Sequence, residues 1–315
     1  MRGDLYAVQT SATPGYDVAS LIAGARPAID PSTLPDPNGA RYTRNALTGD
    51  IGLIGSPDGR FSPYVRFGRS YRHPNLEELL FAGPATAGNI IPNVLVKPET
   101  GNNFDLGTKF TVGSWTGGAF FFLNQYTNFI ASELVVATTS AGPLTRATNF
   151  ADVRIRGLEL QLQKPFVVGP GVITVAGSGA FMRGEVTDGQ NPLGGTSLSG
   201  TPADNITPSK VTANVRYTEA GARYWFEYGA RAQGKVNRVA VTLLDSPFVI
   251  AQDLLGLQGF GVHRVGAGVR LGGGLNRAAL TFAIENLTNK YYREQFQFAP
   301  ARGRSFTIGL RVGNQ

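Results

Sequence analysis

Strict two-residue alternation, over segments of about nine residues, constrains this chain more than any other feature, because nine residues is the length a tilted strand needs to cross a bilayer. Five segments show it. Asn103 to Phe110 sets Phe104, Leu106, Thr108 and Phe110 against Asn103, Asp105, Gly107 and Lys109. Lys210 to Tyr217, Arg223 to Ala230, Arg277 to Ile284 and Ser305 to Val312 divide in the same way. The apolar sets carry no charge in twenty positions; the other sets carry eight, namely Asp105, Lys109, Lys210, Arg216, Arg223, Glu227, Arg277 and Arg311. A Lys or Arg against mid-bilayer lipid costs roughly 2–4 kcal/mol, so the segregation suits an outer face in lipid and a lumen lined by Asp105, Lys109, Arg216, Arg223, Glu227, Arg277 and Arg311. A soluble sandwich also alternates, with its apolar face turned inward, so the pattern alone leaves both open.

Connection lengths separate them. Twelve strands are expected near 4–12, 46–54, 61–71, 103–112, 117–130, 153–164, 172–185, 209–218, 222–236, 258–271, 277–286 and 304–312. Between them long segments (13–45, 72–102, 131–152, 186–208, 237–257, 287–303) alternate with short turns (55–60, 113–116, 165–171, 219–221, 272–276). A bacterial barrel joins its strands by short periplasmic turns and long extracellular loops, whereas a sandwich has no reason to sort loops by end. The reading is an all-β, antiparallel transmembrane β-barrel, one unit over 1–315, with its C-terminus in the periplasm. Trp115, Tyr217, Tyr224 and Trp225 near short turns, and Phe129, Tyr291 and Tyr292 near long loops, are expected as interfacial girdles.

Composition agrees. Glycine is 41 of 315 residues and charged residues are only 16%, which favours strands and turns. Without cysteine there is neither a disulfide framework nor a thiolate metal site. No apolar run approaches a spanning helix, and Met1-Arg2-Gly3-Asp4-Leu5 lacks a signal core, so an exported protein would have its true start elsewhere. The surplus of 29 Lys plus Arg over 22 Asp plus Glu invites an anionic partner, but basic residues are scattered, with Arg154 and Arg156 the densest feature; nucleic acid is not expected.

Several stretches resemble the C-terminal half of the TonB-dependent outer-membrane receptors. Tyr64 to Leu79, with Tyr71-Arg72-His73-Pro74, is similar to that family's strand ending in an aromatic-Arg-x-Pro box and a leucine-glutamate segment. Val96-Lys97-Pro98-Glu99 leading into Phe104-Asp105-Leu106-Gly107 is similar to its Leu-Lys-Pro-Glu loop. Asn149-Phe150 with Gly157-Leu158-Glu159-Leu160, and Glu285-Asn286-Leu287-Thr288-Asn289-Lys290-Tyr291-Tyr292 followed by Gly303-Arg304, resemble two later strands. Pro74 and Pro98 are expected to stop strands, Gly157 to switch register between Val153/Ile155 and Leu158/Leu160/Leu162, and Asn286 with Asn289 to turn the chain.

The resemblance implies an outer-membrane receptor for a scarce nutrient, an iron chelate such as a siderophore first among the candidates, with no cofactor. Its implied partners are outer-membrane lipid, lipopolysaccharide and the chelate. TonB would be engaged only through the N-terminal plug region, which the chain lacks together with roughly the first half of a 22-strand barrel. A passive porin-like channel and a soluble sandwich or adhesin are the alternatives.

No enzyme is expected. Two histidines, His73 and His263, cannot form an HExxH motif, and Gly272-Gly273-Gly274 lacks the Gly-Lys-Ser/Thr of a phosphate loop. The expected ligand site is loop 72–102, with Arg72, His73, Asn75, Glu77, Glu78, Lys97 and Glu99; Arg72 and Lys97 suit an anionic chelate, or Arg72 and Glu99 tie the loop to the wall.

Overall fold

A computed structural model of the chain describes residues 2–9, 17–35, 41–85, 88–203, 206–240, 256–271, 278–295, 297 and 299–312. Fourteen strands among them form one sheet: β1 (Arg2–Gln9), β2 (Arg41–Ile54), β3 (Phe61–Arg72), β4 (Gly83–Pro84), β5 (Asn89–Ile90), β6 (Glu99–Val112), β7 (Trp115–Thr139), β8 (Gly142–Val168), β9 (Gly171–Gly189), β10 (Lys210–Glu219), β11 (Tyr224–Gln233), β12 (Phe260–Arg270), β13 (Ala278–Glu285) and β14 (Ser305–Val312). Apart from β4 and β5, they lie in chain order as antiparallel neighbours, and β1 and β14 stand at opposite ends. The twelve expected strands are all present, as an open part of a barrel.

The register explains the alternation. Leu53, Val65, Leu106, Phe121, Leu158 and Phe181 stand opposite one another across β2, β3, β6, β7, β8 and β9. A second row runs Val175, Val215, Tyr228, Val265, Ile284 and Phe306 from β9 to β14. This face is bare: Leu106 is 49% and Phe226 56% exposed. An apolar surface spanning so many strands far exceeds what a soluble monomer shows and belongs in lipid. Asp105, Lys109, Arg216, Glu227 and Arg311 fall on the opposite, polar face by the same register. Arg223 lies in the turn before β11, outside the ladder, and Arg277 lies outside the described residues.

Four expectations need correction. Segment 131–152 is not a loop: β7 and β8 continue through it and meet at residues 140–141, so one long connection is a two-residue turn. Register shifts between Tyr126/Phe129, Ala131/Leu134 and Val135/Ala137 break the period of two, which hid the strand from a periodicity reading. At about 3.3 Å per residue β7 is roughly 80 Å long, so the hairpin rises well beyond a bilayer.

Gly157 switches nothing, since β8 pairs with β7 and β9 in unbroken register from residue 153 onward. A Cβ there would run into the Phe122 ring and meet the Phe181 carbonyl oxygen at 2.8 Å. Glycine is needed so that the ring can lie across the strand.

The girdle loses three members. Trp225 falls on the polar face, its ring over Gly268; Phe129 packs edge-on to Phe150 in a buried cluster; Tyr292 lies on Phe260, ring centroids 4.1 Å apart. Trp115, Tyr217 and Tyr224 remain on the apolar side at the short-turn end, joined by Phe166, with the Lys164 ammonium 4.4 Å from the Trp115 ring centroid.

Loop 72–102, expected only as a long connection, carries the second of two short helices, α2 (Leu76–Leu80; α1 is Val18–Ile22), and strands β4 and β5. The largest buried clusters sit at this end. Ala131, Leu134, Phe150, Ala151, Val153 and Val186 hold Leu198 and Ala203, while Ile130 and Ala147 hold Leu79 and Val96. Val136, Ala137 and Leu144 hold Ala25 and Ile91. The tall hairpin is the post against which the long connections pack.

Candidate functional site

The first cluster of charge sits where β3 and β6 leave the sheet. Pro74 and Pro98 cannot donate to a ladder, and the pairing stops at Arg72 opposite Glu99. That register brings the guanidinium fork onto the carboxylate, Nε to Oε2 at 2.9 Å and Nη2 to Oε1 at 3.0 Å. Nη1 donates to both oxygens of Glu78 at 3.0 and 2.9 Å. Hydrogen bonds to Glu99, then to Glu78, hold the Arg72 pKa above its ordinary value against the opposing effect of burial.

Glu78 also closes a capping box. Its amide donates to Asn75 Oδ1 at 2.7 Å, and its carboxylate accepts from the Asn75 amide at 2.8 Å, fixing the start of α2. Glu99 Oε1 accepts from the Ile130 amide at 2.8 Å. With Glu78 and Glu99 side chains 5% and 11% exposed, these groups are committed to holding the loop on the hairpin.

The remaining candidates divide. His73 stands edge-on to Tyr71, ring centroids 4.7 Å apart. Glu77 and Lys97 are exposed. The Lys97 backbone is clamped by Asn149, which accepts from Lys97 N at 2.7 Å and donates to Lys97 O at 2.9 Å, so this side chain is displayed on a fixed backbone. Further bonds lock the loop: Asn93 Nδ2 to Ala147 O, Val94 N to Thr33 O, and Arg44 Nη2 to Val94 O. Arg146 donates to Thr33 Oγ1 at 2.7 Å, and burial pushes its pKa down while Asp30 opposes that shift.

The second cluster lies on the polar face. Arg66 reaches Asp50 at 3.2 Å and Asp105 at 3.9 Å across β2, β3 and β6. Farther along, Glu227 is shared by Arg216 at 3.3 Å and by Arg264, while the Arg216 guanidinium covers the Trp225 ring at 4.0 Å. Arg231 donates to Glu294 at 2.7 Å and to the Tyr292 hydroxyl at 3.1 Å, bringing the segment after β13 onto the wall. Asn286, at φ 49°, donates to Lys290 O and Arg302 O and accepts from Lys290 N, which sets the return of that segment. A cavity of about 600 Å³ opens there, with Arg231, Arg264, Arg302, Glu285, Asn214 and Tyr292 in its lining. Its volume lies in the range of small-molecule sites.

Sequence reading missed most of this second cluster. Continuing the alternation past Ala230 would have put Arg231 on the polar face, and the same count along β12 finds Arg264. Asn75-x-x-Glu78 was legible as a capping box. No local pattern could have brought Glu294 to Arg231, 63 positions away.

The family described as TonB dependent receptor-like, beta-barrel matches residues 9–287. None of the curated proteins matches in sequence. Among solved structures, a copper transporter, OprC, is similar with a TM-score of 0.66 at 19% identity, covering 87% of this chain and 40% of its own. The FrpB iron transporter from Neisseria meningitidis, in its apoprotein form, gives 0.64 at 17% identity, covering 87% and 40%. The siderophore receptor PirA from Pseudomonas aeruginosa gives 0.57 at 16%, covering 86% and 44%. At these identities the likeness shows the fold, and the chain spans well under half the length of these proteins.

Proposed function

The chain belongs to the TonB-dependent receptor β-barrel family, and from that premise we propose that it forms the later part of an outer-membrane barrel that binds and imports an anionic metal chelate, an iron–siderophore complex first. The family's barrels lie in the outer membrane of Gram-negative bacteria. The observation that carries the reading is the cavity on the polar face beside the long-loop end, lined by Arg231 and Arg264, whose charges are met by Glu294 and Glu227, and by Arg302. Arg302 makes no ion pair among the described residues, so its charge is available to a carboxylate or catecholate oxygen. That PirA is a siderophore receptor and FrpB an iron transporter supports the same class.

The test is uptake of radiolabelled ferric siderophores by iron-starved cells with and without the complete receptor. Saturable uptake that stops when an uncoupler collapses the proton-motive force is expected. Flux that rises linearly with concentration and ignores the uncoupler would favour a passive porin-like channel instead.

A further inference from the structure

Arg154 and Arg156 are the densest basic feature of the sequence, and nothing in the import reading uses them. Both fall on the outer, apolar side of β8, in phase with Leu158 and Leu160. The row through Arg156 is apolar on three strands, Phe67, Phe104 and Leu123, and then becomes Arg156 directly opposite Arg183. Like charges facing each other across a ladder repel, more strongly beside lipid than in water. The next row outward places Arg154 opposite Glu185.

Glu185 is the carboxylate shared by this group, 3.6 Å from Arg154 and 3.8 Å from Arg183, both longer than a hydrogen bond. Arg156 is exposed and has no ion pair among the described residues. Asp152 opposite Asp188 forms the next row outward again, so the positive charge is confined to the long-loop edge of the apolar band, where Arg156 faces Arg183 and Glu185 is the carboxylate within 4 Å of the group among the described residues. From Arg156 to Lys164, at the other edge, is nine residues, about the length a tilted strand needs to cross the hydrocarbon core.

We propose that Arg154, Arg156 and Arg183 form a docking site for the phosphate of an outer-leaflet lipid, its oxygens bridging the facing arginines while its chains cover Leu158, Phe181 and Phe121. Such a site rests on the membrane reading of the apolar face. The facing of Arg156 and Arg183 favours an anion, and their position at the edge of the apolar band favours an amphiphile over a soluble one.

The complete receptor, purified in mild detergent, is loaded with bis-phosphorylated lipid A, and bound lipid is counted by native mass spectrometry. Dephosphorylated lipid A and inorganic phosphate serve as comparison ligands. R156Q/R183Q is expected to lower lipid A retention at least tenfold, and E185Q, which removes the competing carboxylate, to raise it. Retention equal to wild type in R156Q/R183Q, equal retention of dephosphorylated lipid A, or displacement by millimolar inorganic phosphate would overturn the proposal. Heat-modifiable gel migration of each variant reports the barrel itself, so a lost lipid site and a failed membrane reading are told apart. If R156Q/R183Q does not fold, E185Q decides: no gain in retention counts against the site.

Discussion

Glu99 is the point at which the loop-anchoring network can be tested most directly. Replacing it with Ala removes the acceptor of the Ile130 amide, in a residue 5% exposed, together with two bonds from Arg72. A buried amide left without a partner costs about 1–3 kcal/mol. The Arg72 bonds add only about 0.5–1 kcal/mol, because that side chain is 43% exposed and water replaces much of what is lost. The sum, about 1.5–4 kcal/mol, should appear as easier opening of the loop base rather than as global unfolding. Glu99→Gln retains one acceptor but turns an amide group toward Arg72, and should cost about 1–2 kcal/mol. Hydrogen exchange at the Ile130 amide in the complete, detergent-solubilised receptor reads this opening directly. Since about 1.4 kcal/mol is tenfold, exchange should speed up by roughly tenfold or more in E99A and by roughly 5- to 30-fold in E99Q. Ile130 exchange within twofold of wild type in E99A, with ligand binding lost, would refute the anchoring role and return Glu99 to the ligand.

Replacing Leu280 or Phe282 with Arg puts a charge on the bare apolar face, about 40% exposed at each position, and should block membrane incorporation at a cost of roughly 2–4 kcal/mol; Thr281→Arg, on the polar face, should incorporate normally. Equal incorporation of all three would mean the register is wrong. Gly157→Ala forces a methyl into the Phe122 ring and the Phe181 carbonyl, and should destabilise the barrel by about 1–3 kcal/mol, partly recovered by Phe122→Leu; an unchanged midpoint in thermal unfolding would remove that role. Asn149→Ala deletes two bonds to the Lys97 backbone and one to Asn128 O, so proteinase K should nick residues 73–98 faster on intact cells, by roughly tenfold for each 1.4 kcal/mol lost. Unchanged nicking would show that the loop is held by its apolar contacts alone.

The alternation of Phe104, Leu106, Val215, Phe226, Leu280 and Phe282 with charged neighbours made the membrane-facing sheet legible, because a strand's two faces are written directly into odd and even positions. Twelve strands in order, the proline stops before β6 and after β3, and the turn at Asn286 and Asn289 followed from local chemistry of the same kind. Wherever a bulge inserts a residue, as three times along β7, the parity code fails, and a tall hairpin read as a loop. Glycine and aromatic identities were ambiguous for a related reason: whether Gly157 bends a strand or receives Phe122, and whether Trp225 meets lipid or Arg216, depends on what the neighbouring strand presents.

Sequence by itself therefore determined the sheet, its two faces and the sorting of its connections, since all three follow from short-range periodicity set against a slab of lipid. Tertiary structure alone decided the sites. It turned Arg72, Glu78 and Glu99 inward on one another, put Arg231 with Glu294, and set Arg156 against Arg183 on the outer wall. Each of those pairings joins different strands, or a strand and a loop, and charges interact through distance in space, which strand register and loop packing fix and which separation along the chain does not encode.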